Sequence, residues 1–193
     1  MGESRTDKEL VALAQKGDSR AFDTLVIRYQ SRVLSLIGKY VHNREDAKDV
    51  AQDAFIKAYR ALPNFRGDSA FYTWLYRISV NTAKNHLVAR SRRPPASDVD
   101  AQEAEYYGGE SGLKDQASPE RNLLSDEIGK TIADAITALP DDLRTAIVLR
   151  EVEGLSYDEI SEVMDCPIGT VRSRIFRARE AVDNKIRPLI DHT

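Results

Sequence analysis

The chain has 193 residues, of which 41% are hydrophobic and 31% charged, and a formal net charge of -3 at pH 7. This balance belongs to globular proteins and excludes a disordered, collagen-like or membrane-embedded chain. A single cysteine, Cys166, excludes a disulfide framework and any four-cysteine metal site, and His42, His86 and His192 are too far apart to suggest ligand spacing.

The first residues, Met1 to Leu10, contain no apolar core of the kind a secretion signal needs, so a cytoplasmic location is expected. The longest uncharged run, Ser69 to Tyr76, has eight residues. A membrane span needs about 20, and direct membrane insertion is not expected. Helix signals then follow one another along the chain. Thr6 with Glu9 and Ser156 with Glu159 have capping-box spacing, Gly17 and Gly154 stand where helices end, and Ser118-Pro119 reads as a cap and first-turn proline. No stretch alternates apolar and polar residues long enough for a strand. Helices are predicted near 6–15, 19–40, 44–61, 70–91, 119–138, 141–153, 157–164 and 167–187, which makes the class all-α.

Charge divides the chain further. Ser69 to Ser97 carries no acid, whereas Asp98 to Glu127 carries nine acids against Lys114 and Arg121 alone. The acidic stretch opens with Pro94-Pro95 and contains Gly108-Gly109 and Gly112. It reads as a flexible acidic linker, 94–118, between two small helical domains at 1–93 and 119–193. The overall charge of -3 argues against a general nucleic-acid binder but leaves room for local basic surfaces.

Three segments carry chemistry. In the helix at 44–61, Ala47, Val50, Ala51, Ala54, Ala58, Ala61 and Leu62 make one apolar stripe. Opposite stand Asp49, Gln52, Asp53, Ile56 and Arg60, with Tyr59 nearby. An isoleucine and a tyrosine among carboxylates suit a protein-binding face, although ordinary surface scatter would look similar. Next, Phe65, Phe71, Tyr72, Trp74 and Tyr76 bring five of the chain's 14 aromatics into one stretch that leads into the acid-free region. Aromatic faces stack on unpaired bases while cations hold phosphates, and Asn81 could hydrogen-bond the edge of an extruded base. Trp74 and Phe71 also read as core residues, and Trp74 taken alone reads better as one. Phe65-Arg66-Gly67-Asp68-Ser69 reads as a loop before the helix.

The third segment is the most specific. Ser156 to Met164 makes a short helix with Ile160, Val163 and Met164 facing inward, and Asp165-Cys166-Pro167 breaks it. In the helix that follows, Val171, Ile175, Ala178 and Val182 form a buried stripe opposite Thr170, Ser173, Phe176 and Arg177, flanked by Arg172. Cys166 to Arg179 holds four arginines and no acid. Two short helices joined by a tight turn, the second bearing unopposed cations, form a helix-turn-helix with a recognition helix. Arginine there can bridge the O6 and N7 of guanine.

These residues resemble a known family. The run from Asp46 to Leu62 looks like the polymerase-binding helix of bacterial sigma factors. Phe65 to Ile78 is similar to their promoter-melting segment, and Leu155 to Ile160 with Gly169 to Arg179 is similar to their upstream-element reader. Motif order is kept over almost the whole chain, and the resemblance is to the sigma-E branch of extracytoplasmic-function sigma factors. It implies two helical domains, numbered two and four in that family, and a transcription initiation factor for envelope-stress promoters rather than an enzyme. The implied partners are core RNA polymerase (its clamp helices and flap), promoter DNA in duplex and single-stranded form, and a membrane-associated anti-sigma factor. No cofactor, metal or catalytic residue is implied. By the same resemblance Asp49, Gln52, Asp53, Ile56, Lys57 and Arg60 would contact polymerase. Phe65, Arg66, Gly67, Asp68, Ser69, Phe71, Trp74, Arg77, Asn81 and Lys84 would engage the -10 element, with Asn81 and the Phe65–Phe71 loop taking a flipped base. Thr170, Arg172, Ser173, Arg174, Phe176 and Arg177 would read the -35 element. A dimeric helix-turn-helix repressor would need a dimerisation or ligand domain in the first half. A nuclease would need clustered metal-binding carboxylates.

Overall fold

The computed structural model describes residues 5–91 and 119–190. The proposed linker lies outside these residues. Four helices, α1 (Asp7–Gln15), α2 (Ser19–Gly38), α3 (Arg44–Ala61) and α4 (Phe71–Ser91), make a first bundle. A second contains α5 (Pro119–Thr137), α6 (Asp141–Ile147), α7 (Tyr157–Met164) and α8 (Ile168–Ile190). No strand occurs among the described residues.

Local chemistry sets most of the boundaries. Thr6 and Glu9 close a reciprocal capping box at α1, Asp18 accepts from the Arg20 and Ala21 amides at α2, and Asn43 accepts from those of Glu45 and Asp46 at α3. Each satisfies amides that the first helical turn leaves without a partner. Gly17, at φ 96°, takes the left-handed conformation that ends α1 and turns the chain toward Asp18. Pro63 lies in a 3-10 turn, Leu62–Asn64, that closes α3. The stripe of α3 is nearly all alanine, and Ala54 and Ala58 are fully buried. Small side chains let α3 lie close against both α2 and α4. In the second bundle Ile160, Val163, Val171, Ile175, Ala178 and Val182 are all buried, as the apolar spacing predicts.

The expected helix over 141–153 differs in one respect. It is α-helical to Ile147 and then widens into a π-helical turn, Val148–Val152, where the Glu153 amide donates to the Val148 carbonyl at 3.1 Å. Arg144 to Leu149, six consecutive residues, are buried. One stripe on a surface helix cannot do this; the segment is covered on several sides. Part of that cover comes from the first bundle. Tyr40 donates to Thr145 Oγ1 at 2.5 Å, and Arg144 donates to the Lys39 carbonyl at 3.0 Å.

The two bundles therefore meet, chiefly where α4 lies on α7. Tyr76 donates to Glu153 Oε2 at 2.6 Å, and Tyr72 donates to Glu159. Lys84 pairs with Asp142 at 3.3 Å and Arg77 with Asp165 at 3.8 Å. The first-bundle partners in these four contacts are tyrosines and cations, and the second-bundle partners are all carboxylates.

Candidate polymerase and nucleic-acid interfaces

The outer face of α3 carries Asp49, Gln52, Asp53, Ile56, Lys57 and Arg60, all exposed. The inner stripe fixes that presentation, because a helix buried along one side must turn the other outward. Lys57 leans back toward α4, with Nζ 3.3 Å from Thr82 Oγ1. Beside this face Gln52 and Ile56 join Ser19, Phe22, Asp23, Phe55 and Tyr59 in a shallow cleft of about 310 Å³ between α2 and α3. The rings of Phe22 and Tyr59 meet there at 4.9 Å. An apolar floor with carboxylate and amide rims suits side chains from a partner helix. The contribution of Ser19 and Asp23 from α2 had no signal in the sequence.

Before α4, Arg66, Gly67 and Asp68 are exposed in an open loop, with Gly67 at φ 76°. Phe65 anchors this loop, its ring 4.9 Å from that of Trp74 and 6.2 Å from that of Phe71. Phe71 is buried, whereas Phe65, Ser69 and Trp74 are half-buried. A cleft of about 570 Å³ opens between the loop and α1, lined by residues that include Asp7, Lys8, Gln15, Phe65, Arg66, Ser69 and Phe71. Asn81 is exposed but is not part of that cleft. Ten helical residues separate it from Phe71, roughly 15 Å along α4 at about 1.5 Å per residue. The structure therefore does not bring Asn81 into the cleft beside the loop.

Farther along α4 the strand-facing candidates already have partners. Arg77 and Lys84 make the cross-bundle ion pairs described above. Burial and the bond to Glu153 push the Tyr76 hydroxyl well above the ordinary tyrosine range. For Tyr72 the bond to Glu159 is the larger cause of an upward shift, with burial second. Burial by itself would raise Glu159, but bonds from Tyr72 and Ser156 outweigh it and hold the carboxyl below its ordinary value.

On α8, Arg172, Ser173, Phe176 and Arg177 are exposed, Phe176 to 68%, and Thr170 is half-buried. The turn before it is tight, since Asp165 takes φ 50°, the one left-handed non-glycine among the described residues. The four arginines that look alike in sequence divide into two pairs. Arg174 is 2.5 Å from Asp142 and also donates to Cys166 Sγ, and Arg179 pairs with Glu151 at 2.5 Å. Arg172 and Arg177 have no carboxylate partner among the described residues; Arg172 lies over the Tyr157 ring at 5.7 Å. Asp142 thus touches both Arg174 on the recognition helix and Lys84 on α4.

Among the described residues no three metal-ligating side chains converge, and no helix is long and apolar enough to cross a membrane. Residues 25–93 match the model of Sigma-70 region 2, and residues 130–182 match that of Sigma-70, region 4. The chain is 62% identical over 190 residues to the ECF RNA polymerase sigma-E factor of Escherichia coli K12, covering 98% of this chain and 99% of that one. It belongs to the sigma-70 family of RNA polymerase sigma factors. Within the family it is also 64% identical over 184 residues to the RNA polymerase sigma-H factor of Pseudomonas aeruginosa, covering 95% of each. Among solved structures, CnrH in complex with the cytosolic domain of CnrY aligns with 94% of this chain and 97% of its own at a TM-score of 0.67 and 27% identity. Sigma factors are initiation factors and not enzymes. The region 2 match begins inside α2, so α1 lies ahead of it in this sigma factor.

Proposed function

We propose that this sigma factor serves extracytoplasmic-stress promoters from the cytoplasm and assigns one surface to each step of initiation. Domain two, 1–93, docks on the polymerase clamp helices through Asp49, Gln52, Asp53, Ile56, Lys57 and Arg60. The Phe65–Phe71 loop takes an unpaired -10 base, and Arg77, Asn81 and Lys84 hold the strand several nucleotides farther on. Domain four, 119–193, reads the -35 element with Arg172, Ser173, Phe176 and Arg177, steadied by Thr170 and Arg174, and contacts the flap. Residues 94–118 join the two. A membrane-associated anti-sigma factor holds the protein inactive; CnrH, solved in complex with the cytosolic domain of CnrY, gives precedent for a protein partner on this fold. The observation that carries the reading is the outward face of α8, where two arginines without carboxylate partners among the described residues stand opposite a fully buried stripe.

The packed bundles bear on how such a protein works. The -10 and -35 elements lie about 25 base pairs apart, roughly 85 Å at ~3.4 Å per pair. A compact chain of this length has a radius of gyration of about 16 Å. It cannot touch both elements at once, so the bundles must part on the promoter. The 27 residues from 92 to 118 reach at most about 90 Å when fully extended, which is enough.

Run-off transcription with core enzyme tests the proposal. Wild type should initiate at extracytoplasmic-stress promoters, and the double charge reversal of Asp49 and Asp53 should abolish core binding while leaving helical content and melting temperature nearly unchanged. Unaltered affinity of the reversal for core in a titration would remove the α3 assignment.

A further inference from the structure

The last residue of α1, Gln15, is exposed, yet both donors of its side-chain nitrogen are used. Nε2 donates to the carbonyl of Leu62 at 3.0 Å and to that of Phe65 at 2.8 Å, 47 and 50 residues away. Both acceptors belong to the turn that launches the 65–70 loop, where the Phe65 amide also donates to the Leu62 carbonyl at 3.0 Å. The loop has few other restraints. Arg66 and Asp68 pair at 3.3 Å, but their side chains are 85% and 79% exposed, so that pair contributes little. What remains is the Phe65 ring against Trp74 and Phe71, and the Gln15 amide on the main chain. The ring fixes where the loop begins, and the amide fixes the direction in which its carbonyls point.

Gln15 also lines the cleft between α1 and the loop. On the same wall, at the other end of α1, Asp7 is covered by Arg28 and Tyr29, which both donate to its carboxylate. Lys8, on the same helix, is exposed. A phosphate strand entering here meets a paired acid and an exposed amine.

We propose that Gln15 is a positioning residue for the -10 strand: through the Leu62 and Phe65 carbonyls it sets the loop in its base-accepting form. The inference rests on the reading of the loop given above. Holding a loop in its bound form before the ligand arrives removes an ordering cost from the capture step. The effect of Gln15 therefore falls on promoter opening and on base preference, and not on assembly with polymerase.

The test compares Gln15→Glu and Gln15→Met with wild type in the full-length protein. Glu keeps the shape but turns a carboxylate toward two carbonyls; Met keeps the length without donors. Opening is followed with 2-aminopurine in the -10 region of duplex promoters, and strand capture by anisotropy of a labelled single-stranded -10 oligonucleotide. Both variants should bind core and form closed complexes as wild type does, with a melting temperature lowered only by the few degrees that one or two modest hydrogen bonds account for. Opening should slow about fivefold to tenfold, the order expected for losing one or two modest hydrogen bonds, with Glu the slower. Preference for the consensus -10 sequence over single-base variants should fall by a similar factor, which a merely structural brace would not cause. Normal opening and preference in both variants overturn the proposal, as does a fall in melting temperature that accounts for every loss. Phe65→Ala separates the two levels. If Phe65→Ala slows opening and the Gln15 variants do not, the loop reading stands and the role of Gln15 falls; if none of them changes opening, the loop reading falls.

Discussion

Helices α4 and α8 each carry the cations and aromatics expected of a nucleic-acid reader, yet the structure holds them in different states. Among the described residues the outer face of α8 is bare: Arg172 and Arg177 have no acidic partner, and Phe176 stands in solvent. The comparable groups of α4 are engaged, with Tyr72, Tyr76, Arg77 and Lys84 bonded to Glu159, Glu153, Asp165 and Asp142 of the other bundle. In the function proposed above, carboxylates there sit where phosphates or bases would have to go. A duplex reader can wait exposed, because nonspecific duplex binding is weak for a chain of net charge -3. An exposed set of tyrosines and cations would capture any single strand, since stacking tolerates every base.

The comparison can be broken at several points. Ile175→Ala removes a side chain that is 2% exposed from the stripe under α8, and should cost about 2–5 kcal/mol of stability, read by thermal melting. Both readers would lose their frame together. Arg177→Ala should cost about 1–3 kcal/mol of promoter binding and relax preference at one upstream base pair, leaving promoter melting on preassembled complexes untouched. Normal transcription from every promoter tested would remove Arg177 from the reading face. Asn81→Ala should keep core binding and closed complexes but slow opening, and a pre-melted bubble should restore part of the activity. The bubble supplies the opening energy, a few kcal/mol, without the base contact; permanganate footprinting on duplex and bubble templates checks this. Smaller still is the seam. Glu153→Ala with Asp165→Asn removes the partners of Tyr76 and Arg77, leaves every residue of the proposed reading faces in place, and should raise the affinity of the free protein for single-stranded oligonucleotides by about fivefold, in line with two partly exposed bonds of modest net strength. Duplex -35 binding should not follow. The smallest expected effect is on pH. Glu159 has a lowered pKa in the folded state, so its contribution is present above the ordinary value of 4.5 and is lost as pH falls below it. Energy transfer between labels on the two bundles should stay flat from pH 6 to 8 and drop only in acid.

Much of this was legible in the sequence because it depends on neighbours along the chain. The two capping boxes, the left-handed glycines at 17 and 154, and the stripes of α3 and α8 all stand where spacing puts them. What the sequence hid depends on contacts between distant residues. The π-helical turn and the burial of Arg144 to Leu149 follow from cover that includes Tyr40 and Lys39, some 105 residues earlier. The division of the α8 arginines follows from Asp142 and Glu151, both outside the helix. Gln15 gave no signal, because a glutamine at a helix end is unremarkable until its acceptors are known. The roughly 15 Å between Phe71 and Asn81 follows from helix rise alone, and the motif resemblance obscured it.

The seam between the bundles has a further consequence, because its two sides are joined by 27 residues of the same chain. Tethering turns closure into an intramolecular event, with an effective concentration on the order of millimolar. A contact that would dissociate at about 1 mM between separate molecules, near -4 kcal/mol, is then half closed. Each further 1.4 kcal/mol or so shifts that ratio tenfold. Six polar cross-contacts among the described residues are of the right size for such a balance, and polymerase need contribute only a few kcal/mol of differential binding to hold the open form.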